Sequence, residues 1–203
     1  MADTVAPEFA RFIQAERAAK RLPQAAARGK VAEGDVYPGV FIAAARIDPL
    51  LRVAARRAAG FFRASKRTEV IWVEGGNELA VEFAGVRVKP GDGTLRVTVP
   101  VRCDQIGKGT VDVLFAVGAP NAPVRLDAAP AGPPAGPEGV VGIWSEALVA
   151  FAWNCLLELV SGMAAAVGKD QRGNLLVPVV LSARRQGIEI VPMARFRFSG
   201  STT

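Results

Sequence analysis

The 203-residue chain contains no histidine and only two cysteines. Without histidine the chain cannot build a Ser–His or Cys–His nucleophilic system. Zinc sites with histidine ligands are excluded as well, and two cysteines cannot supply the four ligands of a structural zinc. We therefore nominate no catalytic residue and no metal ligand, and we expect no cofactor. The sequence does not favour an enzyme.

The cysteines and the N-terminus also carry little information about function. Cys103 and Cys155 lie far apart among apolar neighbours, which predicts buried thiols rather than a disulfide framework. The segment MADTVAPEFARFIQAERAAKR has no apolar core of a secretory signal. From this we expect a cytoplasmic protein.

Glycine-rich phosphate loops are missing too. The run GKGT at 107–110 has glycine where a phosphate-binding loop has serine or threonine after the lysine, and no helical pattern follows it. We interpret it as a hairpin turn. Glu146 and Glu158 lie on one predicted helix about 18 Å apart, which is too far for paired acid–base chemistry.

Positive charge is concentrated in the N-terminal third. Residues 1–67 contain 13 Lys or Arg and 6 Asp or Glu, a net charge of +7, whereas the rest of the chain has 12 basic and 13 acidic residues. Such asymmetry favours an anionic partner, either a nucleic-acid backbone or lipid headgroups. Because no nucleic-acid motif is present, any binding of that kind would not be sequence-specific.

The segment 48–67 is the most polarised part of the chain. Asp48 suits a helix N-cap and Pro49 the first helical position. Leu50, Ala54 and Phe61 would lie on the apolar side of such a helix. The opposite stripe is basic and is our candidate site for binding an anionic partner: Arg52, Arg56, Arg63, Lys66 and Arg67. A solvated surface face and an interfacial membrane helix remain open as alternatives.

Residues 68–118 predict an antiparallel meander of four or five strands. TEVIWV is a continuous apolar run that we expect to be buried on both faces. Residues 95–103 alternate cleanly after the predicted turn Pro90–Gly93. Pro100 has no N–H and indicates an edge strand or a bulge.

The Pro/Gly-rich segment 119–139 predicts a linker or surface loop. The sequence thus divides into a basic helical region at 1–67, the meander at 68–118, this segment, and a region at 140–203. Residues 140–203 combine a long apolar helix with a C-terminal hairpin that turns at Arg184–Gly187. We expect 68–203 to form one globular core.

The apolar run 140–168 is long enough to cross a bilayer. Against crossing, Glu146, Asn154, Glu158 and Ser161 fall within a sector of about 120° on a helical wheel. We expect this helix to pack across the sheet with Glu146 and Glu158 at the surface, and we expect no integral membrane insertion. An oligomer interface is the other alternative.

Together these patterns predict an α+β fold, in which an antiparallel sheet, formed by the meander and completed by the C-terminal hairpin, packs against the long apolar helix and the N-terminal helices lie outside. For function we expect a non-enzymatic interaction or assembly protein, a homo-oligomer or the partner of another protein. It would dock on an anionic surface through its basic N-terminal helices. The alternatives are a membrane-associated or membrane-disrupting protein that uses helix 140–168, and an enzyme or small-ligand-binding domain with a pocket between helix and sheet.

Overall fold

The computed structural model describes residues 5–22, 37–62, 66–118, 126, 129–170 and 172–194. Within these ranges the helices are α1 (Pro7–Ala18), α2 (Ala44–Ala58) and α3 (Glu138–Val167), with a 3₁₀ turn at Phe83–Gly85. The strands are β1 (Val40–Ala43), β2 (Val70–Glu74), β3 (Asn77–Val81), β4 (Arg87–Gly91), β5 (Thr94–Cys103), β6 (Gly107–Ala116), β7 (Ala129–Pro130), β8 (Val177–Arg184) and β9 (Gly187–Met193). The α+β class predicted from the sequence is confirmed.

The meander forms the larger of two antiparallel sheets, in the order β2-β3-β5-β6-β7. Strand β5 pairs with β6 along its whole length, and its other edge pairs with β4 and then with β3. Pro100 lies where β4 gives way to β3, and its carbonyl accepts a hydrogen bond from Glu82 N. Since the N and C=O of one strand residue point to the same side, the missing N–H faces this interruption, which explains why proline is accepted there.

The C-terminal hairpin turns where the sequence predicts it, between Arg184 and Gly187. It does not extend the meander but forms a second sheet, in the order β1-β9-β8. In the described part of the chain, two backbone hydrogen bonds join the sheets, from Gly93 N to Ala183 O and from Ala183 N to Gly118 O. Strand β1 was not predicted, because four residues carry too little local pattern and the partner β9 lies far along the chain.

Helix α3 lies at the centre of the molecule. It contacts α1, α2 and both sheets. Twelve of its residues are buried, while Glu146, Asn154 and Ser161 are exposed. The prediction that this helix packs within the fold with Glu146 at the surface is therefore confirmed, whereas Glu158 is only partly exposed. By length and composition alone α3 could also cross a membrane, a property that core helices of soluble proteins share.

Helix α2 differs from the predicted helix 48–67 at both ends. It begins at Ala44, so Asp48 is not an N-cap and Pro49 lies inside the helix. The carboxylate of Asp48 instead accepts a hydrogen bond from Val88 N at 3.1 Å. The helix ends at Ala58 because Gly60 adopts a φ of 87°. Gly60 N and Phe61 N donate hydrogen bonds to the carbonyls of Arg57 and Arg56, which completes a Schellman motif.

The two cysteines are free in the structure. Cys155 is fully buried, as predicted, and its burial raises the pKa of the thiol far above its usual range. Cys103 is only half-buried. The thiol of Cys155 therefore stays protonated and inert at neutral pH.

Candidate interaction site

Strand β2 stands out because it is an outermost strand of the larger sheet and is apolar. It is formed by a tight hairpin with β3, in which Gly75 and Gly76 have φ values of 57° and 83°. Positive φ at both central residues defines a two-residue turn that matches the twist of the strands. Glycine reaches these angles without strain, and the turn sets the register that pairs Glu74 with Asn77.

This register decides which backbone groups of β2 are free. In a two-residue hairpin the residues that flank the turn exchange both hydrogen bonds, so Val70, Trp72 and Glu74 bond to β3. The N–H and C=O groups of Ile71 and Val73 therefore point away from the sheet. Among the described residues no strand pairs with this side of β2.

The side chains of β2 have two different environments. Trp72 faces the core, where its ring lies 6.1 Å from that of Trp144 and 5.7 Å from that of Phe151. Ile71 and Val73 face the other way and are 49% and 67% exposed. The expectation that TEVIWV is buried on both faces is thus wrong. Its apolar run reflects a buried inner face and an exposed apolar outer face.

The usual protection of an edge strand is missing from Val70 to Val73, and only Glu74, beside the turn, carries a charge in β2. Natural edges are blunted by lysine, proline, bulges or inward-pointing charges. Between Val70 and Val73 there is no charge and no proline, and the pairing with β3 is regular. Nearby, Glu69 and Arg102 form an ion pair at 3.1 Å, and Ile143 of α3 is 41% exposed. An apolar, unpaired strand edge of this kind is a template for pairing with another strand.

Of the five residues predicted to bind an anionic partner, the four that the structure describes do not lie on one helix. Arg52 is exposed on α2, whereas Arg56 lies 3.8 Å from Glu8 of α1 and its side chain is only 26% exposed. Lys66 and Arg67 are exposed in the segment between α2 and β2, and Arg67 lies near the Phe61 ring. Arg63 lies outside the described residues. The helical stripe was wrong because α2 ends at Ala58; whether these residues bind an anion stays a prediction.

Other charged residues of the N-terminal third form ion pairs with residues of the same chain. Arg57 donates to Glu158 of α3 at 2.7 Å, so Glu158 is half-buried and paired rather than free at the surface. Glu16 is buried and accepts hydrogen bonds from Arg21 and Arg46. The bond from Arg21, helped by the one from Arg46 and opposed by burial, lowers the pKa of Glu16. These arginines therefore hold α1, α2 and α3 together.

The rest of the described chain offers no clear catalytic group. No cluster of three or more His, Cys, Asp or Glu that could hold a metal occurs among residues that the structure describes. The pKa of Asp170 is lowered by its hydrogen bond to the Asn174 side chain, and backbone N–H groups of Asn174 and Arg172 also donate to it. That arrangement closes a local turn.

Comparisons with known protein families, with curated proteins and with solved structures find no match for this chain. The site must therefore be interpreted from its own geometry. Sequence reasoning identified β2 as a strand but missed its edge position. The available signal was the pair Gly75-Gly76, which indicates a tight hairpin next to an apolar run.

Proposed function

We propose that this chain is a non-enzymatic interaction and assembly protein that self-associates by pairing β2 with the β2 strand of a second copy. The proposal rests on the outer edge of β2. At Ile71 and Val73 the backbone N–H and C=O groups point outward, and the side chains of the same two residues are apolar and exposed. Each feature alone is common at protein surfaces. Together they supply both the hydrogen bonds and the apolar burial of a strand–strand interface.

The edge is self-complementary in one antiparallel register. A two-fold axis at Trp72 overlaps all five residues of β2 with the same five of the second copy. Ile71 then lies opposite Val73 of the second copy, and Val73 opposite its Ile71. These two positions carry the outward backbone groups, so they can form hydrogen-bonded pairs. The same register buries the exposed apolar side chains against each other.

Charge also favours this register. Glu74, the only charged residue of β2, lies opposite Val70 of the second copy and not opposite another acid. On the outer face, Arg102 of one copy is separated from Glu78 of the other by Ala80, Ile71 and Val73. Like charges directly opposite would destabilise the pair, and this register has none.

The experiment is size-exclusion chromatography with light scattering, from low to high micromolar concentration. We expect a dimer that dissociates on dilution, because one strand pair buries less area than a standard interface of about 800 Å² per partner. Val73→Lys should make the protein monomeric. Ile71→Pro should do the same, since it removes only an outward N–H and leaves the bonds between β2 and β3 in place.

Ala45→Lys is the matched control, because it adds the same charge at an exposed position of α2. This variant should remain dimeric. A wild-type protein that is monomeric at high micromolar concentration would overturn the proposal. A stable dimer of Val73→Lys would place the interface elsewhere.

We further propose, from the net charge of +7 in residues 1–67, that the assembly docks in the cytoplasm on an anionic surface. Arg52 supports this: it is the one exposed cation of α2 with no carboxylate partner among the described residues. The wild-type protein should co-sediment with anionic vesicles at low salt and stay in the supernatant at high salt. Binding that survives high salt would instead support the alternative in which α3 associates with membranes.

A further inference from the structure

A groove of about 430 Å³ lies between α3, β6 and the Pro-rich segment that follows β7. One wall is the exposed face of α3, where Glu146, Val149, Ala150 and Trp153 follow helical spacing. The opposite wall consists of Pro130, Gly132, Pro133 and Pro134. Phe115 of β6 forms the floor, with its ring 5.7 Å from that of Trp153. The groove lies apart from the β2 edge and shares no residue with it.

The proline wall is held in place by backbone bonds. Ala131 N donates to Leu114 O at 2.7 Å, and Asp112 and Ala135 exchange two hydrogen bonds at 2.8 and 2.9 Å. These bonds tie both ends of the wall to β6. Since proline also restricts φ, the wall loses little conformational freedom when a ligand binds. A pre-formed apolar groove of this size suits a small organic molecule.

Among the described residues that line the groove, Glu146 is the one charged residue, and the Ser145 hydroxyl is its neutral polar neighbour. Among the described residues no ion pair or hydrogen bond engages Glu146. Trp153 lies seven residues further along the helix, about 10 Å away at the rise of an α-helix. The groove is therefore negative at one end and aromatic at the other.

We infer that this groove binds an amphiphilic organic amine. The ammonium group lies against Glu146, and an apolar or aromatic body extends over Val149 and Ala150 to Trp153 and Phe115. A carboxylate at one end complements a cation and repels an anion. The apolar walls contribute by removing the body of the ligand from water. Neither the dimer nor the basic N-terminal residues are needed for this site.

The test uses three probes with the same body and different heads: phenylbutylamine, phenylbutanol and phenylvalerate. Each is titrated into the full chain by calorimetry, with the indole N–H signals of the three tryptophans followed by NMR. We expect the amine to bind most tightly and the carboxylate most weakly. Only the signal of Trp153 should shift directly, because Trp72 and Trp144 lie at the β2 side of the core.

Glu146→Gln keeps the shape of the groove and removes its charge. It should weaken binding of the amine roughly two- to fivefold, within the range of an exposed ion pair, and leave the affinity for the alcohol unchanged. Glu138→Gln is the matched control, an exposed glutamate on the same helix outside the groove. The amine is also titrated into Val73→Lys, the variant expected to be monomeric. This shows whether binding in the groove depends on self-association.

Three results would overturn the inference. One is equal affinity for the amine and the alcohol. The second is an unchanged affinity of Glu146→Gln for the amine. The third is binding of the amine without a shift of the Trp153 signal, which would place the ligand elsewhere.

Discussion

Helix α2 holds Arg46, Arg56 and Arg57 against carboxylates of α1 and α3, while strand β2 presents apolar side chains to solvent. Glu16 is 4% exposed and is held by two arginines. Val73, in contrast, is 67% exposed, and no strand in the described part of the chain pairs with its outer side. Charged residues are usually exposed and apolar residues are usually buried. The helices depart from this rule with a buried charge, and β2 departs from it with exposed apolar side chains.

The difference shows how to separate structural from functional features in this chain. A buried charge that already has its partner within the fold is accounted for by stability. Stability does not account for the exposed apolar side chains on the outer edge of β2, which no described strand covers, because polar residues at these positions would allow folding equally well. The helical layer therefore explains the fold, and β2 is the better candidate for function.

The largest effect should come from the core of the helical layer. Phe9 is fully buried, and its ring lies so close to Gly162 of α3 that a Cβ at 162 would overlap it. Phe9→Ala should lower the free energy of unfolding by about 3–5 kcal/mol, because it removes the ring and leaves a cavity. Urea denaturation measures this. Phe62→Ala, at a position that is 63% exposed, should change it by no more than about 0.5 kcal/mol.

The next effect tests the buried carboxylate. Glu16→Gln should destabilise the protein by about 1–2 kcal/mol at neutral pH, less than for a fully buried pair because both arginines are partly exposed. Because the pKa of Glu16 is lowered in the folded state, its contribution is present above its ordinary value of 4.5 and is lost as the pH falls through the folded value. The two proteins should therefore converge in stability in acid. A constant difference at all pH values would show that packing, not charge, is responsible.

A smaller effect distinguishes two arginines of α2. Arg56→Glu places a carboxylate beside Glu8 and should cost about 1 kcal/mol of unfolding free energy. Arg52→Glu should leave stability within about 0.5 kcal/mol and weaken low-salt binding to anionic vesicles. Thermal unfolding and co-sedimentation of both variants measure this. Equal stability of the two would mean that Glu8 and Arg56 contribute nothing to the packing of α1.

The smallest effect on stability should be at the edge itself. Val73→Lys should change the unfolding free energy of the monomer by no more than about 0.5 kcal/mol, because the side chain is already mostly in water. Denaturation at a concentration where the wild-type protein is monomeric checks this. A large loss would show that Val73 supports the hairpin rather than an interface.

Much of the fold could be predicted from local pattern. The apolar run that forms α3, the alternation of β5 and the turns at Pro90–Gly93 and Arg184–Gly187 all depend on neighbouring residues, which a sequence displays directly. The end of α2 could also have been found, since Gly60 is a typical helix-terminating residue. The pairing of β1 with β9 could not, because it joins segments more than 140 residues apart.

The candidate site was predicted less well than the fold. The sequence placed the functional surface on basic residues, but it does not show which arginines already have partners, such as Glu8 for Arg56 and Glu158 for Arg57. It also could not show that Ile71 and Val73 lie at an edge. An apolar strand has the same composition whether it lies at the centre of a sheet or at its border.

By itself the sequence determined the class of secondary structure in most segments and the absence of histidine chemistry, because both follow from residue types and short spacings. Only the tertiary structure decided which apolar strand lies at the border of the sheet, which charges are paired, and where an apolar groove forms beside Glu146. Those features depend on contacts between distant segments. The free energy of such contacts is not encoded in any one stretch of the chain.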